Sequence, residues 1–348
     1  MQSGIRSRPW VGLDIGTFSI KLVALPVGVG AGRPLFAEVS MPGGESGDGP
    51  PPTDAVARLV ADAFGQIGLS PRGLRGLTLG LSGPDVFVKQ ITLPLLADDE
   101  VGPALRFEAR KHVPFDLGSM VVDYQILSRY PSEKRLEVLL AAVSQERLAR
   151  CSAPLTALGL EADIVDAAPL ALTNALVHGR ETEREAQLLL DIGHQSSHLT
   201  LWQRGEPYFG RRIEFGGATL TRAIARETRI PLDEAAEWKL AAGSDQPGFR
   251  VDWGSPEMQA MLDALRRDLV EELRRSFAFY RTMGRLPDPM KLWLSGGTAR
   301  IPGLAARLGE LIGFPVLLFS PLERDAESAG ARTGPQFAQA YGLALRSV

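Results

Sequence analysis

The sequence predicts an α/β protein of two related lobes, with a smaller α+β unit inserted into the first. Three segments carry that reading. GLDIGTFSIKL at 12–22 and LLLDIGHQSSHLTLW at 188–202 each end an apolar run in an aspartate, Asp14 or Asp191, with glycine two residues on. KLWLSGGTARIPGL at 291–304 reads as a strand, a turn at Gly296 and Gly297, and a helix start with Thr298. One Asp-x-Gly is an ordinary tight turn between strands. Its recurrence far down the chain, again followed by hydroxyl residues, points to a duplicated half that grips one ligand between its copies.

The residue types suit a polyphosphate. A loop that approaches such dense negative charge must lack side chains and offer backbone N–H groups. Gly16 and Gly193 meet that need, with Thr17 and Ser19 after the first turn and Ser196 and Ser197 after the second. An aspartate cannot touch phosphate without repulsion, but it can hold the water shell of a bridging Mg²⁺ ion. Further on, EFGGATLTRAIARE at 214–227 places Gly216 and Gly217 before a helix, where free N–H groups and the macrodipole favour an anion. The same glycines would equally permit close packing. The Gly-Gly turn before Thr298 lets the backbone press flat on a purine or ribose face.

In this order and spacing the three segments resemble the phosphate-1, phosphate-2 and adenosine motifs of the actin, Hsp70 and sugar-kinase superfamily, over nearly the whole chain. Within it, RFEARKHVPFDLGSMVVDYQIL at 106–127 is similar to the inserted subdomain of the PilM family, actin-like cytoplasmic proteins of type IV pilus assembly. The flanks ITLPLL at 91–96, EVLLAAVSQERL at 137–148 and LTALGLEADIVDAAPLAL at 155–172 fall where that family places them.

The resemblance implies an actin-like, ribonuclease H-like ATPase fold with ATP and Mg²⁺ in its cleft. Gly16, Thr17, Ser19, Lys21, Gly193 and Ser196 are then the phosphate-side residues, with Asp14 and Asp191 acting on Mg²⁺ through water. Gly216, Gly217, Gly296, Gly297 and Thr298 follow as the remaining nucleotide contacts. Lys239, near the end of the helical stretch PLDEAAEWKLAAG at 231–243, is expected to reach the nucleoside; a solvated lysine is the ordinary alternative. The implied partners are the N-terminal peptide of a PilN-like inner-membrane protein and other proteins of the pilus assembly platform. Leu105, Phe107, Val113 and Phe115 are the candidate wall for that peptide, although the same residues can fill the insertion's own core.

The expected organisation is a first lobe at 1–87, an insertion at 88–164, a return segment at 165–186, a second lobe at 187–325 and a closing helix of the first lobe at 326–348. GGESGDGPPP at 43–52 reads as a linker, and Thr53 starts a helix with Val56, Leu59, Val60, Ala63 and Phe64 at helical spacing. A hairpin is expected to turn at Gly205-Glu206. Met258, Met261, Leu262, Leu265, Leu269, Leu273, Phe277 and Tyr280 form the buried stripe of one long helix.

A net charge of −3 gives no electrostatic footprint for nucleic acid. The single cysteine, Cys151, sits in an apolar pattern and reads as a core thiol of a protein kept in a reducing compartment. Apolar runs such as VLLAAV at 138–143 fall short of the roughly 18 residues a membrane helix needs. The chain is therefore expected to be cytoplasmic and to reach the inner membrane through partners. His194 and His198 are four apart but lie on a turn and a strand without a third ligand, so no zinc site is expected. His194 reads as an exposed turn residue or a phosphate contact.

Hydrolysis has the weakest signal. Members of the family resembled carry Glu directly before a proline after the strand joining the lobes, placed to orient water. Here IVDAAPLAL has Ala168 before Pro169, with Asp166 two residues earlier, so turnover is expected to be slow or absent. A sugar or acetate kinase would need a polar acceptor pocket where 80–130 is apolar. An Hsp70-like chaperone would need a further substrate domain, and a type II secretion relative a transmembrane segment. An FtsA-like cell-division or filament-forming protein is the alternative retained; it would need a C-terminal amphipathic helix.

Overall fold

The first glycine turn is held by a hairpin of β1 (Pro9–Ile15) and β2 (Ser19–Pro26), both mostly buried apolar strands. The computed structural model describes residues 8–27, 33–42, 51–113, 116–178, 186–203, 206–242, 251–282, 291–321 and 334–347. Most of the predicted linker, the Gly205 turn and Phe115 lie outside them. β3 (Leu35–Ser40) adds antiparallel to β2, while β4 (Gly76–Leu81) and β8 (Ile164–Ala167) continue parallel to β1, giving the order β3-β2-β1-β4-β8.

The second lobe repeats this order. β9 (Gln187–Ile192), β10 (Ser197–Gln203), β11 (Glu206–Ile213), β12 (Leu292–Ser295) and β13 (Val316–Leu318) form a sheet ordered β11-β10-β9-β12-β13. Its outer face is covered by α5 (Gly217–Thr228), α7 (Pro256–Ala264), α8 (Glu271–Thr282) and α9 (Leu304–Ile312), with α6 (Leu232–Ala242) beside α5. The long helical stripe is there, but Leu265–Val270 between α7 and α8 is a π-helical turn. The expected helix at Thr298 is only a 3₁₀ turn, Gly297–Arg300.

In the first lobe, Val11, Leu13, Ile20 and Leu22 face α1 (Thr53–Gln66) and Leu155 of α3 (Gln145–Ala157). On the other face, Val23 and Leu25 join α4 (Ala168–Val177), α10 (Ala338–Ala344) and Leu189 of the second sheet in one core. Helices α4 and α10 therefore lie between the two sheets. Gly12 lets α10 lie flat on β1, since a Cβ there would overlap the backbone of Ala340 and Ala344.

The insertion is a sheet ordered β5-β7-β6, from β5 (Val86–Pro94), β6 (Met120–Tyr130) and β7 (Arg135–Ser144). One face packs on α2 (Asp98–His112) through Ile91, Leu93, Val101, Leu105, Leu136 and Val138. Helix α3 falls inside the stretch 88–164, yet its Leu155 and Cys151 pack into the first lobe's core with α1. Its amphipathic pattern does not by itself say which core receives it.

Candidate functional site

Pairing across the strands sets up two polar rows. In the first lobe Asp14 pairs with Lys21, and Lys21 with Glu38, so all three project from one face. In the second, Ser295, Asp191, His198 and Arg212 follow one another across β12, β9, β10 and β11. These faces carry Val23 and Leu189 into the shared core, so the rows oppose each other from the two lobes.

Asp14 and Asp191 are both buried. Lys21 Nζ stands 4.0 Å from Asp14 Oδ2. Burial raises the carboxyl of Asp14 above its ordinary range, with Lys21 opposing and Glu38 reinforcing the shift. Burial pushes Asp191 up to about 6; the Ser295 bond and Lys21 pull it down, and the charge of Asp14 adds to the rise. The two carboxylates thus feel each other and the same lysine. His198 is held down at about 4 by burial and then by Arg212, so it is a neutral imidazole near neutral pH.

The turns meet across the cleft. Gly16 and Gly193 each donate a backbone N–H to the carbonyl three residues on, Ser19 O and Ser196 O, both at 3.1 Å. Phe18 of the first turn and His194 of the second meet with ring centroids 5.1 Å apart and their planes tilted by 40°. His194 is therefore half-buried in an inter-lobe contact, not an exposed turn residue. Thr17 is exposed at its tip, and Ser196 is half-buried. Ser19 is buried and its hydroxyl donates to Glu38 Oε1 at 2.8 Å, which takes it away from a phosphate. Glu38 also pairs with Arg300, just past the Gly296 turn, at 3.9 Å.

The remaining predicted residues converge at the N-terminus of α5. Lys239 is buried, not solvated, and its ammonium donates to Gly217 O at 2.9 Å and Thr221 Oγ1 at 2.5 Å. Thr298 Oγ1 donates to Gly193 O at 3.2 Å. A Cβ built on Gly217 would lie 3.0 Å from Thr298 Oγ1 and 3.2 Å from Lys239 Nζ, while Gly216 packs against the His194 carbonyl. Glycine is thus needed here for a tight junction of three motifs as much as for an anion. Gly297 differs, because a Cβ there meets nothing within 4 Å. Two residues that sequence reasoning missed are Gln339 and Ser295, which bond Asp14 and Asp191; Ser295 stands directly before the recognised turn, whereas nothing local marks Gln339.

The proposed partner wall needs correction. Leu105 and Val113 are buried in the insertion's core, because they point from α2 and its C-terminus onto the sheet. Phe107 is 65% exposed on the outer side of α2, with Lys111 Nζ 5.7 Å from its ring. Phe115 lies outside the described residues. The other sheet face carries Val86 and Val88 of β5, Ala141 and Val143 of β7 and Val121 of β6, with Asp123 opposite Ala141, all half-buried or exposed. Part of that face meets α4 and the second lobe in a crevice where Val88, Gln90 and Leu139 approach Pro169, Thr200 and Gly210.

At the end of the joining strand, Asp166 is buried and pairs with Arg346 Nε at 3.1 Å. Ala168 is fully buried at the start of α4. No group of three or more His, Cys, Asp or Glu among the described residues could hold a metal.

Two sheets of one strand order, opposed across a polar cleft with two helices between them, define an actin-like two-lobed protein. The model of the type IV pilus assembly protein PilM family matches residues 12–348, and the chain belongs to that family. Among solved structures it is similar to the PilM–PilN type IV pilus biogenesis complex, at 27% identity and a TM-score of 0.78, covering 99% of each chain. It also shares the fold of MreB 5 of Spiroplasma citri, solved with AMPPNP, at 13% identity and a TM-score of 0.50, covering 97% of this chain and 95% of that one. A curated relative, the cell division protein FtsA of Borreliella burgdorferi, is 23% identical over 219 residues, which span 58% of this chain and only 51% of that protein. That shorter match does not favour the cell-division alternative.

Proposed function

We propose that this chain is a scaffold of the type IV pilus assembly platform that takes ATP with Mg²⁺ in its cleft and docks the short N-terminal peptide of a PilN-like inner-membrane protein on its insertion. The nucleotide half rests on one observation above all: two buried aspartates from opposite lobes share the field of one lysine. The donor set suits the ion. Two carboxylates without a third ligand among the described residues fit a Mg²⁺ that keeps most of its waters, and Asp14 and Asp191 would hold those waters. Bound Mg²⁺ supplies neutralisation of phosphate charge. The chain's own part is positioning: Lys21 and the backbone of the glycine turns for the phosphates, Lys239, Gly217 and Thr298 for the nucleoside end.

Turnover is not supported. Asp166 is taken by Arg346, and Ala168 has no polar side-chain atom, so neither position orients water. ATP then acts as a ligand that sets lobe closure. At about 100 times its dissociation constant it should stabilise the fold by roughly 2.7 kcal/mol. Thermal melts with and without Mg-ATP measure this, and an unmoved transition at millimolar nucleotide would remove the nucleotide claim. Phosphate release should be slower than about 1 per second, below the range of efficient enzymes.

The PilN-like partner is suggested by the related complex. No helix among the described residues is long and apolar enough to cross a membrane, so such a partner would be the link to the inner membrane. The peptide's place is the sheet face opposite α2, where two or three apolar side chains would each contribute about 1.5–3 kcal/mol when buried. Ala141→Asp puts a second negative charge beside Asp123 on that face without touching the insertion's core. It should abolish binding of a peptide copying the partner's N-terminus, with nucleotide affinity unchanged. Should Phe107→Asp abolish binding and Ala141→Asp spare it, the outer face of α2 is the wall instead.

A further inference from the structure

Each of the two aspartates is held by one buried donor from another element, and the two donors come from unrelated places. Gln339 Nε2, on α10, donates to Asp14 Oδ1 at 2.9 Å. Ser295 Oγ, on β12, donates to Asp191 Oδ1 at 2.7 Å. Both donors are buried, Ser295 completely. In Asp14 this fixes one carboxylate oxygen and leaves Oδ2 on the side of Lys21.

Gln339 is out of character with its helix. Its neighbours Ala338, Ala340, Tyr341, Leu343 and Ala344 are mainly apolar and buried, and a buried amide is costly unless its bonds are made. The surrounding backbone is shaped to admit it. A Cβ on Gly80 would stand 3.1 Å from Gln339 Nε2 and 2.7 Å from Leu343 Cδ1, so glycine clears the path from the helix to Asp14. The same segment reaches the other end of the cleft, where Gly296 donates its N–H to Pro335 O at 3.1 Å.

We infer that Gln339 and Ser295 are positioning residues that aim the second oxygen of Asp14 and Asp191 at the waters of the nucleotide-bound Mg²⁺, an inference that rests on the nucleotide reading above. A carboxylate with one oxygen pinned presents the other in a fixed direction, and outer partners of this kind govern metal affinity without touching the ion. If the bonds served only to satisfy buried groups, losing them would lower stability and leave the response to Mg²⁺ alone.

The test is nucleotide affinity of the full chain measured over a Mg²⁺ series and in EDTA, with melting temperatures alongside. Gln339→Met keeps the length and loses the donor; it should raise the Mg²⁺ midpoint by about 10-fold while affinity in EDTA stays within about twofold. Ser295→Ala should do the same, and Ser295→Thr, which keeps the hydroxyl, should restore the parent midpoint. Because Ser295→Ala removes a single oxygen, it decides the matter if Gln339→Met fails to fold. Variants with lower melting temperatures and an unshifted midpoint overturn the positioning role alone. A parent that binds no nucleotide in either condition overturns the nucleotide reading as well.

Discussion

Gly296→Ala is expected to melt far below the parent and to lose nucleotide binding, whereas Gly297→Ala folds normally and loses affinity alone. Gly296 has φ of +93°, and a Cβ there would overlap the backbone of Ile192, the residue after Asp191. Ala cannot take that conformation without strain, and the strand cannot yield without displacing a site residue. The cost is on the order of 3 kcal/mol or more. Gly297 is the control, since its Cβ would enter space empty to 4 Å. Any loss there comes from a ligand lying on the turn. Thermal melts of both variants with and without Mg-ATP separate fold from site. Undiminished binding by Gly297→Ala would place the purine elsewhere.

The acid response of the nucleotide-free protein should split into two opposed halves. His198 is depressed to about 4, so the unfolded chain takes up its proton first as pH falls below 6.5. That group's stability is present above the unfolded value and is lost toward pH 4. Asp191 is raised to about 6, so its folded form takes up a proton before the unfolded chain does. Its penalty is present at neutral pH and relieved as pH falls. Each effect is on the order of 3 kcal/mol, at about 1.4 kcal/mol per tenfold change in proton affinity. Relative to the parent, His198→Gln should therefore gain stability between pH 7 and pH 4. Asp191→Asn should start more stable at pH 7 and lose that advantage toward pH 4. Denaturant unfolding at stepped pH checks both, and variant profiles parallel to the parent's would show that neither group titrates as its burial requires.

Much of the cleft was legible because its signals are local. Asp14-Ile15-Gly16 and Asp191-Ile192-Gly193 carry strand end, carboxylate and turn within three residues, and their likeness announced the paired sheets. The long-range contacts left no such trace. Gln339 sits in a helix that reads as plain core, and only the folded chain brings it beside Asp14. His194 read as an exposed turn residue or a phosphate contact, and only the folded chain sets it against Phe18 of the other lobe. On the insertion, the family resemblance singled out Leu105, Phe107 and Val113 together as a partner wall. Helix phase divided them, sending Leu105 and Val113 into the core and Phe107 outward. Lys239 was found by its place in the family pattern, but its hold on Thr221 depends on how α5 and α6 pack.

The position of α10 also sets an order of assembly. Its Gln339 meets Asp14 across 325 residues of chain. The second lobe, by contrast, is drawn from one continuous stretch of the described chain, β9 through β13. Contacts so distant in sequence form late, and surface waiting for them is prone to association. During synthesis the second lobe can complete its sheet while Val23 and Leu25 of the first still wait for α10 to cover them. The half made first is thus the half finished last, and a nascent chain stalled before residue 338 would lack the helix that closes the core of Val23, Leu25 and Leu189.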